Sequence, residues 1–418
     1  MGNDSDEQIH RLADPAFAQT EPVAVPSRRR ASSVRWPAVG AIVVVVLIIV
    51  GLLGLRGGSE EGEPADFSTD LSVMSSFAEV PLSKLSYVTE ATVRGVDFDK
   101  IAELTGIERS GTGEPDVEWT EMLVYGATDR EKTPIVAAQL TDLMGQAFRY
   151  PEEFDSELGW EGAAIAATVS WQDSRDTNFI GFDVFRLDSD LSPIAERAGA
   201  DAIVDIGSGP DFEPNFDDTS TLRLTGVPLH IGVNPARSTV AVAQSTTAVR
   251  SWLDREGAKV ADDPIANALA SALDQTGDIY AFEASFADFS VERWFEDGIP
   301  DALGFTVDDV AITETFRALG IGWSGVEDTQ QTSVVYVFDS AEAAAASVES
   351  IAQLYAPDAR FIDADGTGVV PSVGSIIEVD TVTSSGTTVT LLGRAAPGAG
   401  PMDILPGLQR PSPFRLHR

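Results

Sequence analysis

The chain has 418 residues, with 28 Lys+Arg against 66 Asp+Glu, a net charge of −38, three His and no Cys. Without cysteine there is no disulfide, no thiolate metal site, no cysteine nucleophile and no lipid-modified cysteine, and so large an excess of acid repels nucleic-acid phosphates. A hydrophobic fraction of 43% supplies enough material for a packed core.

Residues 1–35 balance Arg11, Arg28, Arg29, Arg30 and Arg35 against Asp4, Asp6, Glu7, Asp14 and Glu21. The segment is rich in Pro, Ser and Ala, and is expected to be a disordered cytoplasmic tail. Residues 36–55, WPAVGAIVVVVLIIVGLLGL, carry no charge and are flanked by Arg35 and Arg56. At ~1.5 Å per residue this run matches the ~30 Å hydrocarbon core of a bilayer, which predicts a single transmembrane helix. The long polar region before it and the lack of a small-residue exit after it favour an uncleaved anchor over a signal peptide. Arg28, Arg29, Arg30 and Arg35 precede the span, whereas Glu60, Glu61, Glu63, Asp66 and Asp70 follow it. That asymmetry places the N-terminus in the cytoplasm and the C-terminal bulk outside. The charges before the span cancel, so the whole acidic excess is extracytoplasmic.

Residues 56–76 are polar and Gly-containing and read as a stalk. Residues 397–418 are Pro-rich and read as a flexible tail. Between them the chain resembles itself. At an offset of 193, Tyr87, Glu90 and Ala91 fall on Tyr280, Glu283 and Ala284. Thr92 falls on Ser285 and Glu121 on Glu314. Further on, Trp171 falls on Trp323 at 152, Leu187-Asp188-Ser189 on Phe338-Asp339-Ser340 at 151, and Ser238–Ala243 on Thr387–Leu392 at 149. The order is preserved, and the fall in offset implies an insertion in the first copy between about 127 and 162 that includes an amphipathic helix. The expected architecture is α+β: two internally duplicated lobes, 77–258 and 275–396, joined by a connecting helix at 259–274. Frequent hairpins, with turn signals at Asn234-Pro235 and Ser385-Gly386, predict mainly antiparallel sheets with flanking helices.

The chemistry legible in these residues is sparse. Of the three histidines, His10 and His417 lie in the tails, so only His230 can be folded, as a partly buried strand residue. No G-x-S-x-G elbow is present for a Ser-His-Asp triad. Gly207-Ser208-Gly209 is followed by Pro210 and Asp211 rather than by a helix or a lysine, which opposes phosphate. No resident cofactor is expected; Ca²⁺ is the one cation the pattern admits. Asp363 and Asp365 begin an oxygen-ligand loop whose twelfth position is Gly374 instead of a bidentate Glu. Asp211 and Asp217 lie in a second acidic loop. Carboxylates kept by both copies (Glu90, Glu283, Glu121, Glu314) and the aromatic pair Trp171 and Trp323 read as structural anchors rather than catalytic groups.

These observations point to a non-catalytic ectodomain on the cell membrane that binds or scaffolds an envelope component, with the bilayer as its other partner. Two alternatives follow from the same residues. One is a carboxylate-based hydrolase acting on cell-wall polymer, which needs two carboxyls about 5–9.5 Å apart in a cleft. The other is a cation-dependent adhesion module.

Overall fold

The computed structural model describes residues 66–84, 91–109, 119, 142–173, 181–291, 312–326, 329–356, 360–362, 369–371 and 377–395. The expected span at 36–55 and both tails lie outside these residues; among the described residues no helix is long and apolar enough to cross a membrane.

In chain order the first elements are α1 (Val73–Glu79), β1 (Ala91–Asp97), α2 (Phe98–Thr105), α3 (Asp142–Arg149), α4 (Pro151–Leu158), β2 (Ile165–Asp173) and β3 (Phe182–Leu187). Next come α5 (Ser192–Ala198), β4 (Ile203–Ile206), β5 (Leu229–Asn234), β6 (Thr239–Ala243), α6 (Thr246–Leu253) and α7 (Pro264–Asp274). The chain continues with β7 (Ile279–Phe289), β8 (Phe316–Val326), β9 (Thr329–Phe338), α8 (Ala341–Leu354), the short pair β10 (Arg360–Ile362) and β11 (Val369–Pro371), then β12 (Ile377–Ser385) and β13 (Thr388–Ala395).

Local chemistry sets the ends of these elements. Asp97 closes β1 and caps α2 by accepting from Lys100 N, and Gly106, at φ 68°, ends that helix in the left-handed region. Asp263 accepts from the Ile265 and Ala266 amides ahead of Pro264 at the start of α7. Ser340 caps the Ala-rich α8.

The long strands form one 11-stranded antiparallel sheet in the order β12-β13-β9-β8-β7-β1-β2-β3-β6-β5-β4. The fold is therefore α+β. Alternate strand residues feed two cores. On one face Phe185, Val240, Tyr336 and Leu391 pack with Phe98, Phe154, Ile194 and Ile351 from the helices. On the other, Val184, Phe282, Phe286 and Val335 pack with Phe77, Trp252, Leu269 and Leu273. With helices on both faces, central strands such as β3 are buried at every position.

The sheet reads alike in both directions from its centre. Outward from β7 come β8, β9, β13 and β12; outward from β1 come β2, β3, β6 and β5, with β4 added at that edge. The central ladder fixes the axis. Thr92 lies directly opposite Ser285, and the flanking pairs Ala91–Phe286 and Val93–Ala284 exchange places under the 193 offset. The outer ladders agree: Val240 is opposite Phe185 as Val389 is opposite Tyr336, which reproduces the offsets of 149 and 151 read from the sequence. Among the described residues, the two expected lobes are thus two halves of a single sheet.

Two sequence expectations need correction. The polar stalk does not extend to residue 76, because Phe67, Leu71 and Val73 are buried and α1 begins at Val73. Ser72 and Ser75 form a reciprocal cap there, so the polar residues at 72–76 mark a helix start. The match of Trp171 to Trp323 also fails. Trp171 lies opposite Phe182; the corresponding place, opposite Ser333, is taken by Gly322. Trp323 is one residue further on, which turns it to the other face, so the two indoles lie in different cores.

Candidate functional site

Where the expected site residues fall is largely structural or outside the described residues. Glu90, Glu121, Asp363 and Asp365 lie outside them. Glu283 pairs with Arg94 at 3.1 Å beside the central axis, and Glu314 is exposed. Trp171 and Trp323 are both buried. Among the described residues no group of three or more acidic or histidine side chains is placed to hold a metal ion.

Glu79, Asp274 and Asp97 hold the fold. Glu79 accepts from Trp252 Nε1 at 2.7 Å and pairs with Arg237, tying α1 to α6 and to the turn between β5 and β6. Asp274 accepts from the Val73 and Met74 amides at 2.8 and 3.0 Å, which satisfies the start of α1. Burial pushes the Asp274 carboxyl above its ordinary range despite those bonds. Asp97 pairs with Arg186 at 3.2 Å and is likewise raised by burial.

The least ordinary region connects β4 to β5, the edge pair that His230 joins opposite Asp205. His230 is a buried strand residue, close to expectation. Its Nδ1 lies 2.7 Å from Asp205 Oδ1, and its Nε2 lies 3.0 Å from Asp211 Oδ1 and 3.2 Å from Thr246 Oγ1. A ring protonated on both nitrogens donates to both carboxylates, whereas a neutral ring donates to only one. The carboxylates sit at opposite ends of the ring, so the three groups do not converge on one point. Asp211 also accepts from Thr246 N at 2.8 Å at the start of α6, where Ser245 is the cap.

Asp211 therefore anchors the beginning of the connection, and Arg223 anchors its end. Arg223 Nε donates to Glu157 of α4 at 2.7 Å, and its Nη1 donates to the carbonyl of Asp218 at 3.0 Å. Asp218 accepts from the Ser208 amide and hydroxyl at 2.8 and 3.0 Å. The Ser208 hydroxyl, its amide and Arg223 hold the Asp218 carboxyl below its ordinary range. The Asn215 amide donates to Thr225 O at 3.0 Å, and Asn215 Nδ2 donates to Ser208 O at 3.0 Å. Gly226 is required here: at φ 69° a Cβ would come within 1.7 Å of Asn215 O.

This framework holds apolar side chains in water. Phe212, Phe216 and Leu224 are 47%, 74% and 70% exposed, and only Leu104 and Tyr150 join them as exposed large hydrophobics among the described residues. Phe216 and Leu224 lie one step from the Asn215–Thr225 bond, on adjoining stretches of the connection. Phe212 adopts φ 64°, a conformation that a side chain with a Cβ keeps only where the surroundings impose it. Around these residues Glu213 and Asp217 are exposed, and the one cation of the connection itself, Arg223, is buried and paired; Arg197 of α5 reaches the Glu157 carbonyl from outside it. Sequence reasoning singled out Asp211 and Asp217 as cation ligands and passed over the aromatics between them. The available signal was two Phe residues within an acidic, Pro- and Gly-containing connection. No protein-family model matches the chain, and neither a curated protein nor a solved structure is significantly similar to it.

Proposed function

We propose that the protein is a single-pass, membrane-anchored binding or scaffolding protein. Its α+β body lies outside the cytoplasm and acts on an envelope component without catalysis. The uncharged run at 36–55 and the Arg cluster before it support the placement. The commitment of Glu79, Asp97, Asp274 and Glu283 to helix starts and ion pairs supports a non-catalytic role for the acids. The observation that carries the binding reading is the β4–β5 connection, whose ion pairs hold apolar side chains in solvent instead of folding them inward.

We further infer that the two halves arose by internal duplication. The agreement between the 193, 151 and 149 offsets and the ladder pairings at Thr92–Ser285, Phe185–Val240 and Tyr336–Val389 supports this.

Protease added to intact cells tests the placement. The body should be cleaved while an epitope ahead of residue 35 stays protected. A body that resists until the cells are opened would overturn the anchored, outward orientation.

A further inference from the structure

We propose that the connection between β4 and β5 is a docking surface for a basic protein segment that carries apolar side chains. The inference rests on the binding reading above and is independent of the membrane placement. Three observations carry it. First, three large apolar side chains are exposed within one short stretch of chain, at Phe212, Phe216 and Leu224. Exposed apolar residues scattered singly over a surface need no explanation, but here Phe216 and Leu224 flank the Asn215–Thr225 bond and Phe212 lies four residues before Phe216 on the same connection.

Second, hydrogen bonds and ion pairs pin the backbone of this connection at both ends. Asp211 is fixed to the start of α6 and to His230. Arg223 is fixed to Glu157 and to the carbonyls of Asp218 and Gly226, and Asn215 ties the two stretches together. Phe212 is held at positive φ. A connection ordered before contact loses little further conformational freedom on binding, so its apolar area converts to affinity efficiently.

Third, charge selects among occupants. Glu213 and Asp217 face solvent beside the apolar residues, Asp211 and Asp218 are partly exposed, and Asp205 follows on the strand below. Arg223 is turned inward. A second copy would bring the same acidic surface, with a net charge of −38 per chain, against itself. An anionic lipid surface or a nucleic acid is repelled by the same charges. A segment combining Lys or Arg with aliphatic or aromatic residues complements both parts of the surface.

The test is to pan a displayed library of random 12-residue peptides against the full chain in a mild nonionic detergent. A parallel selection uses the Phe212→Ser/Phe216→Ser/Leu224→Ser variant, whose melting curve verifies that it folds. The wild type should enrich peptides that pair basic with apolar residues. The best of them, followed by fluorescence anisotropy, should bind the variant at least tenfold more weakly and should weaken with added salt. Glu213→Gln/Asp217→Asn should lower the basic content of the selected peptides. Enrichment of the same peptides by wild type and triple variant would overturn the connection as the docking surface while leaving a binding function elsewhere. Enriched peptides without basic residues would overturn the charge assignment. No enrichment by the wild type would overturn this inference, while the wider binding reading, which names no peptide, would stand.

Discussion

The two halves of the sheet share a scaffold, and beyond the α3–α4 insertion of the first half they differ most at the connection to the outer hairpin. In the first half, the chain between α5 and β5 forms β4 and then the acidic stretch bearing Phe212, Phe216 and Leu224. In the second, the corresponding chain between α8 and β12 passes through the small β10–β11 ladder instead. The outer edges differ accordingly. β4 is a four-residue strand backed by the buried His230, whereas β12 is longer, bulged between Val379 and Thr381, and exposes Glu378, Asp380 and Thr383. A bulge and charges protect an open edge against unwanted pairing, and a short strand does so by offering little to pair with. His230 itself lies opposite Ala243, and the matching place opposite Leu392 is Thr381, so the histidine clamp belongs to one half alone. The shared parts are those that build the sheet; the β4–β5 connection, our proposed docking surface, occurs in one half alone.

The comparison breaks most readily at Glu79. This buried carboxylate serves the first half only, through Arg237 in the β5–β6 turn and Trp252 in α6. Glu79→Ala leaves Arg237 only its more exposed partner Asp66 and takes the acceptor from the buried Trp252 Nε1, so it should cost about 3 kcal/mol in denaturant unfolding. The corresponding turn in the second half, Gly386-Thr387, is largely exposed. Thr387→Ala there should cost no more than about 0.5 kcal/mol. Comparable losses at the two turns would mean that the halves are braced alike.

Core equivalence is tested at Val240 and Val389. Both are fully buried, and each lies opposite an aromatic of the same core, Phe185 or Tyr336. Truncation of either to Ala removes two methyl groups and leaves a small cavity, at about 2–3 kcal/mol. Losses within about 1 kcal/mol of each other support equivalent positions. A several-fold difference would confine the likeness to backbone topology.

The pH dependence sharpens the role of the first half's own acids. Burial raises the Asp97 carboxyl above its ordinary range, although the Lys100 amide and Arg186 oppose the shift. The folded state therefore keeps this proton to higher pH than the unfolded chain does. The contribution of Asp97 to stability is greatest at or below the ordinary carboxylate range and falls as pH rises through the window above it. Wild type measured against Asp97→Asn by urea unfolding should thus fare better at pH 4 than at pH 7. A difference independent of pH would show that the carboxyl titrates alike in the folded and unfolded chain.

How much of this was legible in the sequence depended on the strength of local patterns. The Asn234-Pro235 and Ser385-Gly386 turns and the offset between β6 and β13 were all readable, because turn chemistry and alternation act over a few residues. The pairing of Trp171 with Trp323 misled because a rare residue type was weighed above strand parity, and one residue of slip reverses the face. Merging of the lobes into one sheet was hidden, since it depends on β1 pairing with β7 across nearly two hundred residues. The candidate site was half legible. Its acids stood out, but nothing local says that Phe216 stays in water while Phe185 goes into the core.

That last contrast yields the smallest stability effect and the most discriminating one. Phe216→Ser removes a side chain that is 74% exposed, so little apolar burial is lost, and unfolding should shift by no more than about 0.5 kcal/mol. Phe185→Ser removes a fully buried ring that packs against Trp160 and leaves a hydroxyl in the cavity, at a cost of several kcal/mol. The two residues are the same in sequence and opposite in use. A near-neutral Phe216→Ser in unfolding, combined with loss of peptide binding, would separate recognition from stability at a single position. A large loss of stability there would instead show that Phe216 belongs to the scaffold, and that the first half differs from the second by an extra piece of core.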